Sequence, residues 1–291
     1  MSPVVRAALW MTGAIVSFSS MAVAGREIAD GLDTFEIMLY RSLIGIVIVT
    51  ALAWQFGTLG QITTRHMRYQ FARNLVHFAG QNLWYFSITV IPLAQVFALE
   101  FTSPIWVVLL APIVLGERLT SVRIMAASIG FAGILIVTRP SPETLSLGIF
   151  TAAGAAVFFA MTSLFTKRLT RSETVTCIMF WLVIMQAVFG LITAGYDGDI
   201  ALPTTAALPW LMVIGIGGLV AHFCITTALS LAPAAVVVPF DFIRLPVIAV
   251  VGMALYEEPL DWFVLLGAAV IFGANYLNIW TETRRSGNQT A

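Results

Sequence analysis

The sequence predicts an all-α membrane protein of ten transmembrane helices arranged as an inverted 5+5 repeat. Of its 291 residues, 59% are hydrophobic and only 10% are charged, and the mean hydropathy is +0.93. Soluble domains carry about 25% charged residues. This chain therefore has too few charges to cover a surface exposed to water. A separate observation, its internal repeat, predicts how the helices are arranged.

Apolar segments bounded by glycine, proline, asparagine and charge clusters indicate the ten helices. Each is about as long as the helix that spans a bilayer core, and lipid offers exposed backbone groups no hydrogen-bond partner, so helices are the expected spanning form. The predicted helices cover residues 5–25, 34–54, 70–90, 93–115, 120–138, 146–166, 174–194, 207–230, 234–255 and 260–280. The connections are too short to hold a separate domain.

The first helix also resembles a signal peptide. Arg6 precedes its apolar stretch, and Ala22, Val23 and Ala24 have the shape of a cleavage site. We predict that this helix is retained, because the second half of the chain contains its full-length counterpart.

The positive residues predict the orientation of the chain, since cytoplasmic loops carry an excess of lysine and arginine. With the N-terminus inside, eleven of the fifteen fall on the inner side and only Arg26 and Arg139 fall outside. The inner ones are Arg6, Arg65, Arg68, Arg73, Arg118, Arg123, Lys167, Arg168, Arg171, Arg284 and Arg285. We therefore predict that both termini lie in the cytoplasm.

An internal repeat divides the chain into residues 1–140 and 141–291. A shift of 141 residues superposes WMTGAIVSF on TAAGAAVFF, so that Gly13 meets Gly154. The same shift pairs Pro92 with Pro233, Phe101 with Phe242, Glu117 with Glu258, and Glu100 with Asp241. Each half contains five helices, an odd number, so the second half crosses the membrane in the opposite sense. Many secondary transporters share this plan and bind substrate at the interface between the repeats.

Four ionisable residues lie within the predicted spans: Arg41, Glu100, Asp241 and Arg244. Each costs roughly 2.5 to 3.5 kcal/mol on insertion scales, which favours a cavity or a partner. Counted from helix ends at about 1.5 Å per residue, Arg41 and Glu100 lie at similar outer depths and are expected to pair. Asp241, Arg244 and His222 are expected to form an inner group.

The repeat shift sets Arg244 on Ser103, so this arginine has no charged counterpart. An alternative for all four residues is a structural one, since buried ion pairs can fix helix packing without binding a substrate.

Several uncharged residues complete the predicted site. Gln81 and Asn82 lie on the third helix, and the shift sets Gln81 on His222. Such amides also act as interhelical contacts worth only about 0.6 kcal/mol. Phe101 and Phe242 follow the two carboxylates directly and are candidates for ring contacts in a pocket. Trp84 and Tyr85 are expected to anchor the helix at the membrane boundary.

Proline clusters in the fourth and ninth helices, which the repeat relates. Proline removes a backbone donor, and broken helices at corresponding positions of two halves indicate a binding site. The prolines are Pro92, Pro104, Pro112, Pro233, Pro239 and Pro246. Glu117 and Glu258, at helix ends beside water, are expected to cap helices or pack loops.

Other classes of function find no support in the sequence. It contains no phosphate-binding glycine loop, no metal-ligand spacing and no nucleophile beside a base, so we predict no enzyme, cofactor or metal. The formal net charge is zero, which gives no reason to expect nucleic acid as a partner. Cys177 and Cys224, the two cysteines, lie in apolar segments and are interpreted as core residues.

Three stretches resemble the drug/metabolite transporter superfamily, EamA type. They are FEIMLYR at Phe35–Arg41, GERL at Gly116–Leu119, and VPFDFIRLPVIAVVGMALYEEP at Val238–Pro259. The first is similar to the S-adenosylmethionine uptake transporters. The resemblance covers nearly the whole chain and implies a secondary transporter of the inner membrane. It also implies a central cavity lined by helices of both halves, including the fourth and ninth.

The functional hypothesis is alternating access for a small zwitterionic or amphipathic metabolite, with either carboxylate as a candidate carrier of a coupling proton. An exporter of amino acids or metabolites is the alternative within transport. A membrane scaffold or sensor is the alternative of another class. The partners expected are the substrate and the lipid bilayer, and the oligomeric state stays open between a monomer and a homodimer.

Overall fold

The computed structural model describes residues 3–116, 121–141, 145–231 and 240–289, and these ranges contain α-helices, turns and no β-strand. The helices are α1 (Pro3–Glu27), α2 (Thr34–Gln55), α3 (Met67–Val90), α4 (Leu93–Glu100), α5 (Ser103–Leu115), α6 (Ser121–Thr138), α7 (Leu147–Leu169), α8 (Val175–Ala194), α9 (Leu208–Leu231), α10 (Arg244–Tyr256) and α11 (Trp262–Gln289). A 3-10 turn at Leu59–Gln61 follows α2.

These helices form ten membrane crossings, as the sequence predicts. Helices α4 and α5 make one crossing that is interrupted at Phe101 and Thr102. Phe240 and Asp241 are helical and α10 continues the ninth crossing after a turn at Phe242 and Ile243. The predictions for Pro233, Pro239 and Glu117 lie outside the described residues.

Within the described ranges, six segments are long and apolar enough to cross a membrane: α1, α2, α4 with α5, α7, α8 and α9. Helices α6, α10 and α11 contain shorter apolar stretches. Helix α3 is the polar crossing, and its polar side chains from Gln70 to Asn82 are buried against protein. For example, Arg73 Nε donates to Thr166 Oγ1 at 2.8 Å, and Gln186 Nε2 donates to the Asn74 carbonyl at 2.8 Å.

The 141-residue repeat is visible in the helix bounds. Four pairs of helices begin 141 residues apart: α2 and α8, α3 and α9, α5 and α10, and α6 and α11. The caps repeat as well, because Asp33 caps α2 and Thr174 caps α8 through the backbone N–H three residues on. Gly116 and Glu257 end α5 and α10 with positive φ angles of 71° and 55°. The two halves therefore fold alike.

Contacts between helices follow the same symmetry. Helix α1 packs on α9, and its counterpart α7 packs on α3, the counterpart of α9. A Cβ added to Gly13 would lie 2.8 Å from Cys224 Sγ, and one on Gly154 would lie 3.2 Å from Leu83. Helices α2 and α6 each pack on their own counterpart in the other half, α8 and α11, and α4 packs on α10. A pseudo-two-fold axis therefore passes between the halves.

Helices α6 and α11 cross at two glycines. A Cβ on Gly133 would lie 2.9 Å from the Gly267 carbonyl oxygen, and a Cβ on Gly267 would lie 2.7 Å from the Gly133 carbonyl oxygen. Small residues let helix backbones approach closely in a membrane, where apolar burial between helices gives little driving force.

We expect Gly267→Ala to lower the thermal unfolding midpoint in detergent. The added methyl group would clash with backbone atoms of α6, including the Gly133 carbonyl oxygen, and backbone atoms cannot rotate out of the way as a side chain can. The cost should be about 1 to 3 kcal/mol, as for other overpacked sites. Gly273→Ala in the same helix is the control, since a Cβ there meets nothing within 4 Å. Equal midpoints for the two variants would contradict a tight crossing.

Candidate functional site

The interruptions of the fourth and ninth crossings meet at the centre of the bundle. The rings of Phe101 and Phe242, which the repeat relates, lie with centroids 4.6 Å apart. After each break the helix resumes with an equivalent bond, Trp106 N–H to the Thr102 carbonyl and Val247 N–H to the Ile243 carbonyl, both 3.3 Å. This symmetry places Glu100 and Asp241, one residue before each ring, beside the same axis.

Glu100, Asp241 and Arg244 form what we call the ion cluster. Arg244 Nη2 donates to Glu100 Oε1 at 3.0 Å and to Asp241 Oδ2 at 3.3 Å. The Arg244 side chain is 4% exposed, against 18% for Glu100. With both carboxylates ionised, the cluster carries one net negative charge.

Aromatic rings surround the arginine of this cluster. Its Cζ lies 4.7 Å from the ring centre of Phe18, 4.9 Å from that of Phe97 and 5.0 Å from that of Phe101. A guanidinium over ring faces is stabilised by their negative electrostatic potential. The rings therefore hold the guanidinium of Arg244 in place, and its hydrogen bonds go to the two carboxylates.

Trp84 lies in the site rather than at the membrane boundary, so its expected role as an anchor is wrong. The side chain is buried, and Nε1 donates to Glu100 Oε2 at 2.8 Å. Sequence reasoning missed this contact because tryptophan near a helix end is usually interfacial. Trp84 and Glu100 lie at similar depths when counted from the outer ends of their helices, and this similarity could have indicated their contact.

The expected pairing of Arg41 with Glu100 is also wrong, because Glu100 pairs with Arg244. Depths counted along straight helices separated Glu100 from Asp241 into outer and inner groups. The counting took no account of helix tilt or of the breaks directly after each carboxylate, which bring both to the axis. Among the described residues, both carboxylates therefore belong to the same ion cluster, and neither Arg41 nor His222 is part of it.

A second feature, the axis cavity, lies between α2, α3, α8 and α9. Four repeat-related pairs line it: Arg41 with Leu182, Ser42 with Val183, Gly45 with Gln186, and Gln81 with His222. Its free volume is about 20 Å³, enough for one or two water molecules. The cavity thus lies on the pseudo-two-fold axis but is too small here for a metabolite.

Arg41 gives this cavity an uncompensated charge. Its Nη1 is buried without a hydrogen-bond partner, and within the described part of the chain its guanidinium makes no salt bridge. The side chain packs along α9, with Nη2 3.1 Å from the position of a Cβ on Gly218. Its repeat counterpart is Leu182, so the positive charge belongs to one half alone.

Phe18 connects the axis cavity to the ion cluster. One contact is the cation–ring contact with Arg244, and the other is an edge contact with His222 at 6.1 Å between centroids. Phe18 therefore contacts both a residue that lines the cavity with Arg41 and the arginine of the ion cluster. This arrangement suits a small molecule that carries both charges.

The remaining predicted residues divide between cavity and packing. Gln81 lines the axis cavity, whereas Asn82 Nδ2 donates to the Phe78 carbonyl of its own helix at 2.8 Å and is absent from the lining. Asn82 Oδ1 and Tyr85 Oη are buried without hydrogen-bond partners among the described residues. Tyr85 is buried rather than interfacial, so its expected anchoring role is also wrong.

A polar network, which we call the latch, lies at the face of the bundle where α1 ends. Arg26 donates to Glu258 and to the Ile91 carbonyl at 2.9 Å, and Glu258 Oε2 accepts from Leu93 N–H at 2.9 Å. Tyr256 Oη donates to Glu27 at 3.0 Å. The network joins α1, α10 and the start of α4, so Glu258 packs a loop as its position at a helix end predicts.

Ten crossings in two inverted halves, with a charged site on the axis between them, define a multi-pass membrane transporter rather than an enzyme. The chain belongs to the EamA-like transporter family, whose sequence pattern matches residues 5–139 and again residues 146–280. The homologues below support transport of a small metabolite.

Curated relatives of the chain include transporters for two kinds of metabolite. An S-adenosylmethionine uptake transporter of Rickettsia felis is 24% identical over 94% of this chain and 92% of its own length. A riboflavin transporter of Brucella anthropi is 29% identical over 84% of this chain and 87% of its own length. A riboflavin transporter of Rhizobium johnstonii is 28% identical over 96% of this chain and 92% of its own length.

A solved structure shows the same fold. The crystal structure of another protein aligns with 96% of this chain and 98% of its own chain, with a TM-score of 0.65 and 17% sequence identity. At this identity the likeness extends to the fold and no further.

Proposed function

We propose that the protein is a secondary transporter that moves a small zwitterionic metabolite of the S-adenosylmethionine type across the inner membrane by alternating access. The observation that carries the proposal is the separation of charge at the axis. The buried Arg41 has no counter-ion among the described residues, while the ion cluster has one carboxylate more than it has cations. A zwitterion would satisfy both.

The chemistry of the site favours a substrate with a carboxylate, a cationic centre and an aromatic ring. Arg41 would receive the carboxylate through charge-assisted hydrogen bonds. The ion cluster and the rings of Phe18, Phe101 and Phe242 would receive the cation and the aromatic group. S-adenosylmethionine carries all three groups, whereas riboflavin has no carboxylate, so we favour the first of the two substrates that the relatives' names suggest.

We infer alternating access from the small volume of the axis cavity, which must enlarge before it can hold a metabolite. Pockets for small molecules usually have volumes of about 300 to 1,000 Å³, far above the present free space. The latch lies at the face where α1 ends, which we infer to be the outer face because the basic residues cluster at the other. Substrate entry from that side would require the latch to open and the two repeats to rock apart around the axis.

One carboxylate of the ion cluster is proposed to carry a coupling proton, since Asp241 Oδ1 is buried without a hydrogen-bond partner among the described residues. We expect an imposed pH gradient to stimulate uptake of S-adenosylmethionine into reconstituted vesicles. Asp241→Asn should abolish this stimulation, and Asp199→Asn, on an exposed loop, should preserve it. An unchanged response in both Asp241→Asn and Glu100→Gln would remove the two carboxylates from coupling.

The same vesicles test the alternatives. Efflux of loaded S-adenosylmethionine or amino acids without uptake of either would favour an exporter. Absence of transport and of thermal stabilisation by every metabolite tried would favour a scaffold or sensor.

A further inference from the structure

A basic cavity lies apart from the axis site, at the face of the bundle where α3 begins and α7 ends. Its volume is about 330 Å³, far larger than the free space on the axis. The lining consists of His66, Tyr69, Arg168, Leu169, Arg171 and Ser172. Among the described residues, the lining therefore contains two arginines and a histidine and no acidic residue.

Two contacts hold one arginine of the cavity in position. Arg168 lies with its Cζ 4.3 Å from the ring centre of Tyr69, and its Nη1 donates to the Val114 carbonyl at 3.0 Å. The protein therefore orients this guanidinium.

The cavity lies at the ends of two membrane crossings, beside further basic residues. Arg65 and Arg68 are exposed beside the start of α3. Phe71 and Leu75, on the outward face of α3 that Arg68 shares, are 50% and 48% exposed. A ligand with an anionic head and an apolar tail fits a basic cavity at the membrane ends of α3 and α7, whereas a soluble anion would use the basic residues alone.

We propose that this cavity binds the phosphate group of an anionic phospholipid. Basic pockets between transmembrane helices commonly receive such headgroups. Arg168 and Arg171 contact the phosphate, and the acyl chains extend from the cavity into the bilayer. The proposal does not depend on the identity of the transported substrate.

The test is a titration of the full-length protein in detergent with phosphatidylglycerol or phosphatidylcholine, followed by native mass spectrometry. Phosphatidylglycerol should bind more tightly, and Arg171→Gln should weaken its binding about fivefold, as expected for one basic residue near a lipid surface. Arg171 is exposed, so this variant should fold normally. Arg168→Gln should have at least the same effect.

Arg6→Gln is the matched control, because Arg6 is also exposed, lies at the start of α1 on the same face, and is absent from the cavity lining. Its phosphatidylglycerol affinity should equal that of the wild type. Equal binding of the two lipids would overturn the proposal, as would an equal loss in Arg6→Gln, which would indicate diffuse attraction. Stabilisation by millimolar inorganic phosphate to the same extent as by phosphatidylglycerol would assign the cavity to a soluble anion instead.

Discussion

Arg41→Leu should weaken the binding of S-adenosylmethionine about 100-fold, or about 2.7 kcal/mol, without lowering the thermal stability of the protein. Removing one partner of a buried charge pair costs about 2 to 5 kcal/mol in binding. In the free protein, by contrast, Arg41 has no partner to lose among the described residues. Leucine also fits the site, because Leu182 occupies the equivalent position of the second half and lines the same cavity.

The measurement is ligand titration of the purified protein, with the unfolding midpoint recorded for each variant. Ser42→Val is the matched control, since it too replaces a cavity residue by its counterpart in the other repeat, Val183, but removes no charge. It should leave affinity within a few-fold of wild type. Wild-type affinity in Arg41→Leu would exclude Arg41 from the binding site, and a large loss of stability would assign it a structural role.

Arg244→Gln should destabilise the protein by about 2 to 4 kcal/mol, somewhat below the loss for a fully buried pair, because it leaves two neighbouring, partly buried carboxylates without a counter-charge. The triple variant Glu100→Gln, Asp241→Asn, Arg244→Gln should recover much of that loss, since its three side chains are neutral and can hydrogen-bond to one another. Thermal unfolding in detergent measures both.

The recovery is the informative part of this comparison. If the triple variant is as unstable as Arg244→Gln, charge compensation is not what the arginine provides. Its packing against the rings of Phe18, Phe97 and Phe101 would then hold the centre of the bundle.

The symmetry of the fold was predictable from the sequence because it depends on one offset. Superposing Gly13 on Gly154 and Glu100 on Asp241 already implied inverted halves, and the helix starts in the structure repeat the same interval. The ring contact of Phe101 with Phe242 also follows, since equivalent residues beside a two-fold axis meet each other.

The partners of individual charges were not predictable in the same way. Arg244 bonds to Glu100, a residue 144 positions away, and depth along a straight helix does not encode the tilts and breaks that bring them together. The axis cavity was hidden for another reason. Residues such as Gly45 and Val183 carry no polar signal, and only the fold shows that they surround Arg41.

The most direct test of the account is counterflow: vesicles loaded with unlabelled S-adenosylmethionine are diluted into the labelled compound. We predict transient accumulation of label by the wild type and by Ser42→Val, and none by Arg41→Leu. Equal accumulation in Arg41→Leu would contradict a zwitterion site at the axis, and no accumulation by the wild type, with accumulation of riboflavin instead, would contradict the proposed substrate.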